Sequence, residues 1–155
     1  MYYEDFQIGR IWQTGTALFA RESILAYAEA YDPRVLIAER EGQPLTASGL
    51  HVASEGMRRF VDWHAAFRAD AAARGESQPT LGVSPGVRDL VFPNPVRPGD
   101  IVTYTMRTIS MRETSKPGFG LVGHAFRATN GRGDQVLAFS SLALVFRRTA
   151  QIPEE

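Results

Sequence analysis

Residues 47–73 read ASGLHVASEGMRRFVDWHAAFRADAAA, and the spacing of their apolar side chains decides the fold. Leu50, Ala53, Met57, Phe60, Val61, His64 and then Phe67 or Arg68 recur every three or four positions, the period of one helix face. Glu55, Arg58, Arg59 and Asp62 fall largely elsewhere. Ala65 to Ala73 prolongs the helix, because alanine is the best helix former. Just before it, Pro44 to Ser48 (PLTAS) is short and turn-like, and the hydroxyl of Thr46 or Ser48 is placed to cap the first turn. The pattern predicts one long helix over 49–73 with a single broad apolar stripe, which must pack on something flat.

The second half supplies the flat partner. Leu81 to Phe92, Ile101 to Ser115, Gly120 to Asn130 and Gln135 to Arg148 read as strands, separated by PNPVRPGD, SKPG and NGRGD. The Pro, Gly, Asn and Asp of these separators supply the fixed or positive φ angles of turns. The last run, VLAFSSLALVF, is apolar on both alternating faces, which predicts a central strand covered on both sides. Upstream, Ile11 to Phe19 reads as a strand. Arg21 to Tyr31 reads as a helix with Ile24, Tyr27, Ala28 and Tyr31 on one stripe, ended by Asp32-Pro33. The expected class is α+β, an antiparallel sheet wrapped around one long central helix. The other face of such a sheet needs cover, and a two-fold partner is its simplest source, so a homodimer or dimer-based oligomer is expected.

Composition narrows the function. A chain of 155 residues, 44% hydrophobic, is one domain's worth with one core, taken here as 1–155. Its 17 basic residues balance 17 acidic ones, leaving no field to attract a polyanion, so nucleic acid is not an expected partner. No uncharged apolar run approaches the roughly 20 residues of a membrane span. The opening MYYEDFQIGR is acidic where a secretory signal is basic, and a cytoplasmic protein is expected. There is no cysteine, hence no disulfide or thiolate chemistry, and His51, His64 and His124 are not spaced as a metal pair. Neither a metal nor a cofactor is implied.

Four phrases, in order, carry a family likeness: YYEDFQIG at the start, YDP at Tyr31 to Pro33 after a helix, ASGLH at Ala47 to His51 opening the long helix, and PVRPGD at Pro95 to Asp100. Together they resemble the MaoC-like acyl dehydratases of the hot-dog fold, which include the R-specific enoyl-CoA hydratases, over nearly the whole chain. The resemblance implies a dimer that binds acyl-CoA or acyl-carrier thioesters in the groove between subunits. It also implies addition or removal of water across the 2,3 bond of the acyl group.

That chemistry needs an acid–base pair around one water and preorganised donors for an enolate-like oxygen. By the resemblance, Asp32 is the family's aspartate and Gly49 the glycine whose N–H faces the thioester oxygen at a helix N-terminus, where the macrodipole favours negative charge. Leu50 and Ser54 fall at substrate-binding positions beside it. The family's histidine, five residues after the aspartate, falls on Ile37, and the segment between Asp32 and the long helix is shorter than the family's. His51 is the candidate to replace that imidazole; otherwise it is a partly buried histidine satisfied by backbone. Asp32 as a simple turn residue and Ser54 as a small packing residue are the plain alternatives. Glu55 suits a hot-dog thioesterase, in which a helix carboxylate acts at the thioester carbonyl, or else is a solvated glutamate. His64 and His124 read as core or sheet-face residues, and Arg88, Arg97 and Arg112 as surface arginines rather than CoA phosphate ligands. Three readings follow: a hydratase or dehydratase, a thioesterase, and a non-catalytic acyl-CoA binder.

Overall fold

The computed structural model describes residues 1–79 and 82–148. A 3-10 turn (Tyr3–Asp5) leads into strand β1 (Ile11–Leu18) and helices α1 (Arg21–Tyr31), α2 (Arg34–Arg40) and α3 (Gly49–Ala73). Strands β2 (Val87–Val91), β3 (Ile101–Glu113), β4 (Phe119–Thr129) and β5 (Gln135–Phe146) follow. The sheet is antiparallel throughout, in the order β1-β3-β4-β5-β2. The α+β architecture is thus the expected one, with the long helix lying on the sheet. No helix among the described residues is long and apolar enough to cross a membrane.

Several expectations need correcting. The Arg34–Ala47 stretch is not all loop: Pro33, with a helical φ of −63°, starts α2 immediately after α1 ends. Its fixed φ serves the first turn, where no N–H is needed. Strand β2 pairs only over Val87–Val91, far less than Leu81 to Phe92, and Leu81 lies outside the described residues. Asp89 adopts the left-handed conformation, with φ of 55°, and the register slips between Arg88 and Val91, so β2 is a bulged, exposed edge. Strand β5 is an inner strand, between β4 and β2, but its two faces are only partly covered.

The buried face of α3 is also rotated from the predicted stripe. His51, Val52, His64 and Ala71 are buried, whereas Leu50, Met57 and Val61 are 58%, 56% and 41% exposed. Closest approach sets this rotation. A Cβ on Gly56 would stand 3.0 Å from the Tyr104 ring of β3, so only this small residue lets helix and sheet meet there. The Tyr104 hydroxyl donates to the Val52 carbonyl at 2.9 Å, tying the same turn to the sheet. Phe19, Ile24, Val52, Val102, Tyr104 and Leu137 form the centre of this well-packed core. Beside Tyr104 in the sheet, Gly15 sits at a bulge in β1 with φ of 148°, and its missing side chain makes room for the Arg59 stem.

The turn before β3 braces the entry to α3. Val96 is buried, and its carbonyl accepts the Ala47 N–H at 2.8 Å. Asp100 accepts the Arg97 N–H at 2.8 Å and the Arg132 guanidinium at 2.9 Å, closing that turn. The first residues are held at the opposite end of the sheet. Arg147 pairs with Glu4 at 3.4 Å and lies over the Tyr3 ring, while Arg148 pairs with Asp5 and lies over Tyr2.

Candidate functional site

Asp32 ends α1 and hangs over the start of α3. Its carboxylate accepts from Arg34 Nε at 2.8 Å and Arg34 Nη2 at 3.2 Å. The Arg34 hydrogen bond, then the nearby Ser48 side chain, hold its pKa below the usual aspartate range, so it is a carboxylate at neutral pH. Ser48 is the N-cap residue of α3, yet its hydroxyl makes no cap hydrogen bond. The position expected for the cap is right, but its hydroxyl does not cap the helix. The opening amides of α3 therefore lack a side-chain acceptor from the cap, with the Asp32 carboxylate near Ser48.

Gly49 is tightly enclosed on one side. A Cβ there would fall 2.6 Å from the Phe92 ring, so the chain just past β2 leans directly on the helix start. Phe92 is a site residue that the strand pattern does not distinguish; the glycine, as a mark of close approach, was the only available signal. Leu50 is 58% exposed at this opening, and the exposed Ser54 donates to the Leu50 carbonyl at 2.7 Å. Ser54 is thus back-bonded within its own helix, one turn beyond Leu50. Ile37 stands on α2, 52% exposed.

His51 lies elsewhere. Its ring stacks on Tyr27 at 4.5 Å and meets Phe19 edge-on at 5.1 Å; it is buried, and its Nδ1 has no partner. Burial lowers its pKa and Glu55 partly offsets that, so it is a neutral aromatic member of the core face. Backbone does not satisfy its Nδ1, contrary to the plain expectation for this residue. Glu55 itself pairs with Arg59 at 3.3 Å one turn on. Arg88, Arg97 and Arg112 are exposed. Among the described residues no group of three His, Asp or Glu side chains converges as metal ligands.

An enclosed apolar cavity lies not at Asp32 but farther along α3. A cavity of about 220 Å³ opens between the middle of the helix and the sheet, from Gly56 and Met57 to Trp63 and His64, walled by Phe126 and Phe139. At 1.5 Å per residue this run of helix is about 12 Å long. Met57 lines the cavity and is 56% exposed, which puts it at the mouth. It stands on the same exposed stripe as Leu50, Ser54 and Val61, so an apolar track runs along the helix surface from Gly49 to the mouth. Phe6, 5.2 Å from the His124 ring, is part of the wall that also holds His124.

No protein-family model matches the chain, and no curated protein matches its sequence. Solved structures do. A MaoC-like dehydratase from Rhodospirillum rubrum is 25% identical, with a TM-score of 0.77 over 97% of this chain and 99% of that one. An (R)-hydratase of A. caviae involved in PHA biosynthesis is 17% identical, with a TM-score of 0.58 over 92% of this chain and 98% of that one. A Mycobacterium tuberculosis protein with a double hot-dog fold is 19% identical at a TM-score of 0.66, and 99% of this chain covers 46% of it. The chain has the hot-dog fold, and its structural neighbours include MaoC-like dehydratases and R-hydratases.

Proposed function

We propose that this protein acts on acyl thioesters, carried by CoA or a carrier protein, adding water to or removing it from the 2,3 bond. The observation that supports this best is the ionised Asp32 carboxylate standing near Ser48, the residue at the uncapped start of α3. In this reading the Gly49 amide receives the thioester oxygen, where the helix dipole stabilises the negative charge that develops on it. Asp32, released from the exposed Arg34, holds the reacting water or takes the proton at C2. The acyl tail follows Leu50 and Ser54 to Met57 and enters the cavity. His51 supports the site through the core and does not supply the missing imidazole.

A second copy completes the site. Val87, Val91 and Phe92 at the β2 edge are exposed beside the exposed α3 stripe of Leu50, Met57 and Val61, and together they form an apolar surface next to Gly49. A homodimer through this surface covers both, in keeping with the neighbour that carries two such units in one chain. The charge balance and absence of cysteine suit action in the cytoplasm without nucleic acid.

Ile37, where a histidine would share the water, and the Arg34 clamp on Asp32 favour a second reading, an acyl-thioester binder without turnover. One experiment separates the readings. Purified protein is offered 2-enoyl-CoA and saturated acyl-CoA, and loss of the conjugated bond is followed beside thiol release. Loss of the double bond, falling at least about 100-fold in Asp32→Asn, is the expected result. Thiol release alone identifies a thioesterase. Tight binding with neither signal identifies the binder.

A further inference from the structure

The cavity is mostly apolar, with Thr14, Thr105 and Arg127 towards the Gly56 end and a polar group at the end farthest from Gly49. There two imidazoles, His64 and His124, line it, both more than nine-tenths buried. Neither ring is an ion-pair partner. His124 Nδ1 has no hydrogen-bond partner, and Thr108 Oγ1, on the residue paired with His124 across β3 and β4, also lacks one. Burying such groups unpaired is costly, and native interiors seldom tolerate it unless water or a ligand fills the gap. Two further observations define what would fit. Burial pushes both imidazoles down to about 4, so they are neutral at pH 7 and give no charge to an anionic group. The flanking Phe6, Phe60, Trp63 and Phe126 rings are apolar, while the Ser84 and Ser141 side chains line the cavity too, Ser141 directly opposite His124 in the sheet.

We propose that His124 and His64 form a distal subsite for an uncharged hydroxyl or carbonyl carried well along the tail of the bound acyl group. This rests on the acyl-thioester reading, and it adds that the preferred tail is functionalised rather than plain hydrocarbon. A neutral imidazole both donates and accepts, so either group can be met.

The probes are free fatty acids of increasing length, each with and without a terminal hydroxyl, titrated calorimetrically into the full-length protein. At the length that reaches the histidines, the hydroxylated acid is expected to bind about tenfold more tightly than its plain counterpart. His124→Phe keeps the ring and removes the nitrogens; it is expected to abolish that preference while leaving affinity for the plain acid within about twofold. His64→Phe is the second variant, against the chance that the first fails to fold. Equal affinities at every length, no binding of either acid, or a preference that survives both substitutions overturns the subsite. Discrimination among free acids without any binding of the matching acyl-CoA would instead overturn the thioester reading and leave the subsite standing.

Discussion

The two halves of α3 rest on the sheet in opposite ways. Its first two turns are packed to contact: Phe92 against Gly49, Val52 buried, and the Tyr104 hydroxyl bonded across to the Val52 carbonyl, with the Gly56–Tyr104 contact closing the near end of the cavity. Its middle stands off the same sheet and leaves a cavity. One helix on one sheet thus carries a rigid end and a hollow end. The difference follows from side-chain size at the helix face, glycine in the first part and Phe60, Trp63 and His64 in the second. Rigidity lies where a carboxylate and a row of amides must be held in register, and space lies where a flexible tail could be stored.

Substitutions on the two halves test that contrast. Tyr104→Ala removes a buried ring from the packed end and is expected to cost roughly 3–5 kcal/mol by chemical denaturation, while Tyr104→Phe, losing only the hydroxyl bond, costs about 1. If Tyr104→Ala costs no more than Tyr104→Phe, the packed end is not packed.

The hollow end should respond to acid. His64 and His124 are lowered to about 4 when folded, against an ordinary value of 6.5, so the unfolded chain binds more protons between these values. Stability is therefore full above about pH 6.5 and is lost as the pH falls towards 4, by up to about 3 kcal/mol for each ring. The double variant His64→Phe with His124→Phe should flatten this part of the curve; an unchanged slope would show that the rings are not buried neutral.

Smaller effects separate the halves further. Gly56→Leu overpacks against Tyr104 and is expected to destabilise by roughly 1–3 kcal/mol. Ala143→Leu adds one carbon fewer, at a residue lining the cavity, and should change stability by less than about 1 kcal/mol while weakening the binding of long-chain ligands. Equal costs for the two would erase the distinction between the ends.

Much of this was legible in the chain. The three-to-four periodicity of α1 and α3 and the turn chemistry around β3, β4 and β5 gave the helices to the residue and the three long strands to within two residues. What failed was what depends on three-dimensional approach. Periodicity ranks residues by hydrophobicity, so it put Leu50 and Met57 inward, whereas the helix is oriented by where glycine permits contact. The α2 helix was hidden because Asp-Pro marks both an end and a beginning. In the candidate site, the nearness of Asp32 to the start of α3 was anticipated from resemblance, but the failure of Ser48 to cap was not, since a serine before a helix reads first as its cap. Phe92 and the cavity left no local trace, because both arise from segments distant in sequence.

Both outer strands of the sheet are bent out of register, β1 between Gln13 and Gly15 and β2 between Arg88 and Val91. An unbroken ribbon of free amides and carbonyls would invite endless lateral stacking of chains into fibrils. Interrupted on each flank, this sheet offers only short straight stretches to a neighbour, so growth by strand addition terminates early and the protein can keep a greasy rim without polymerising.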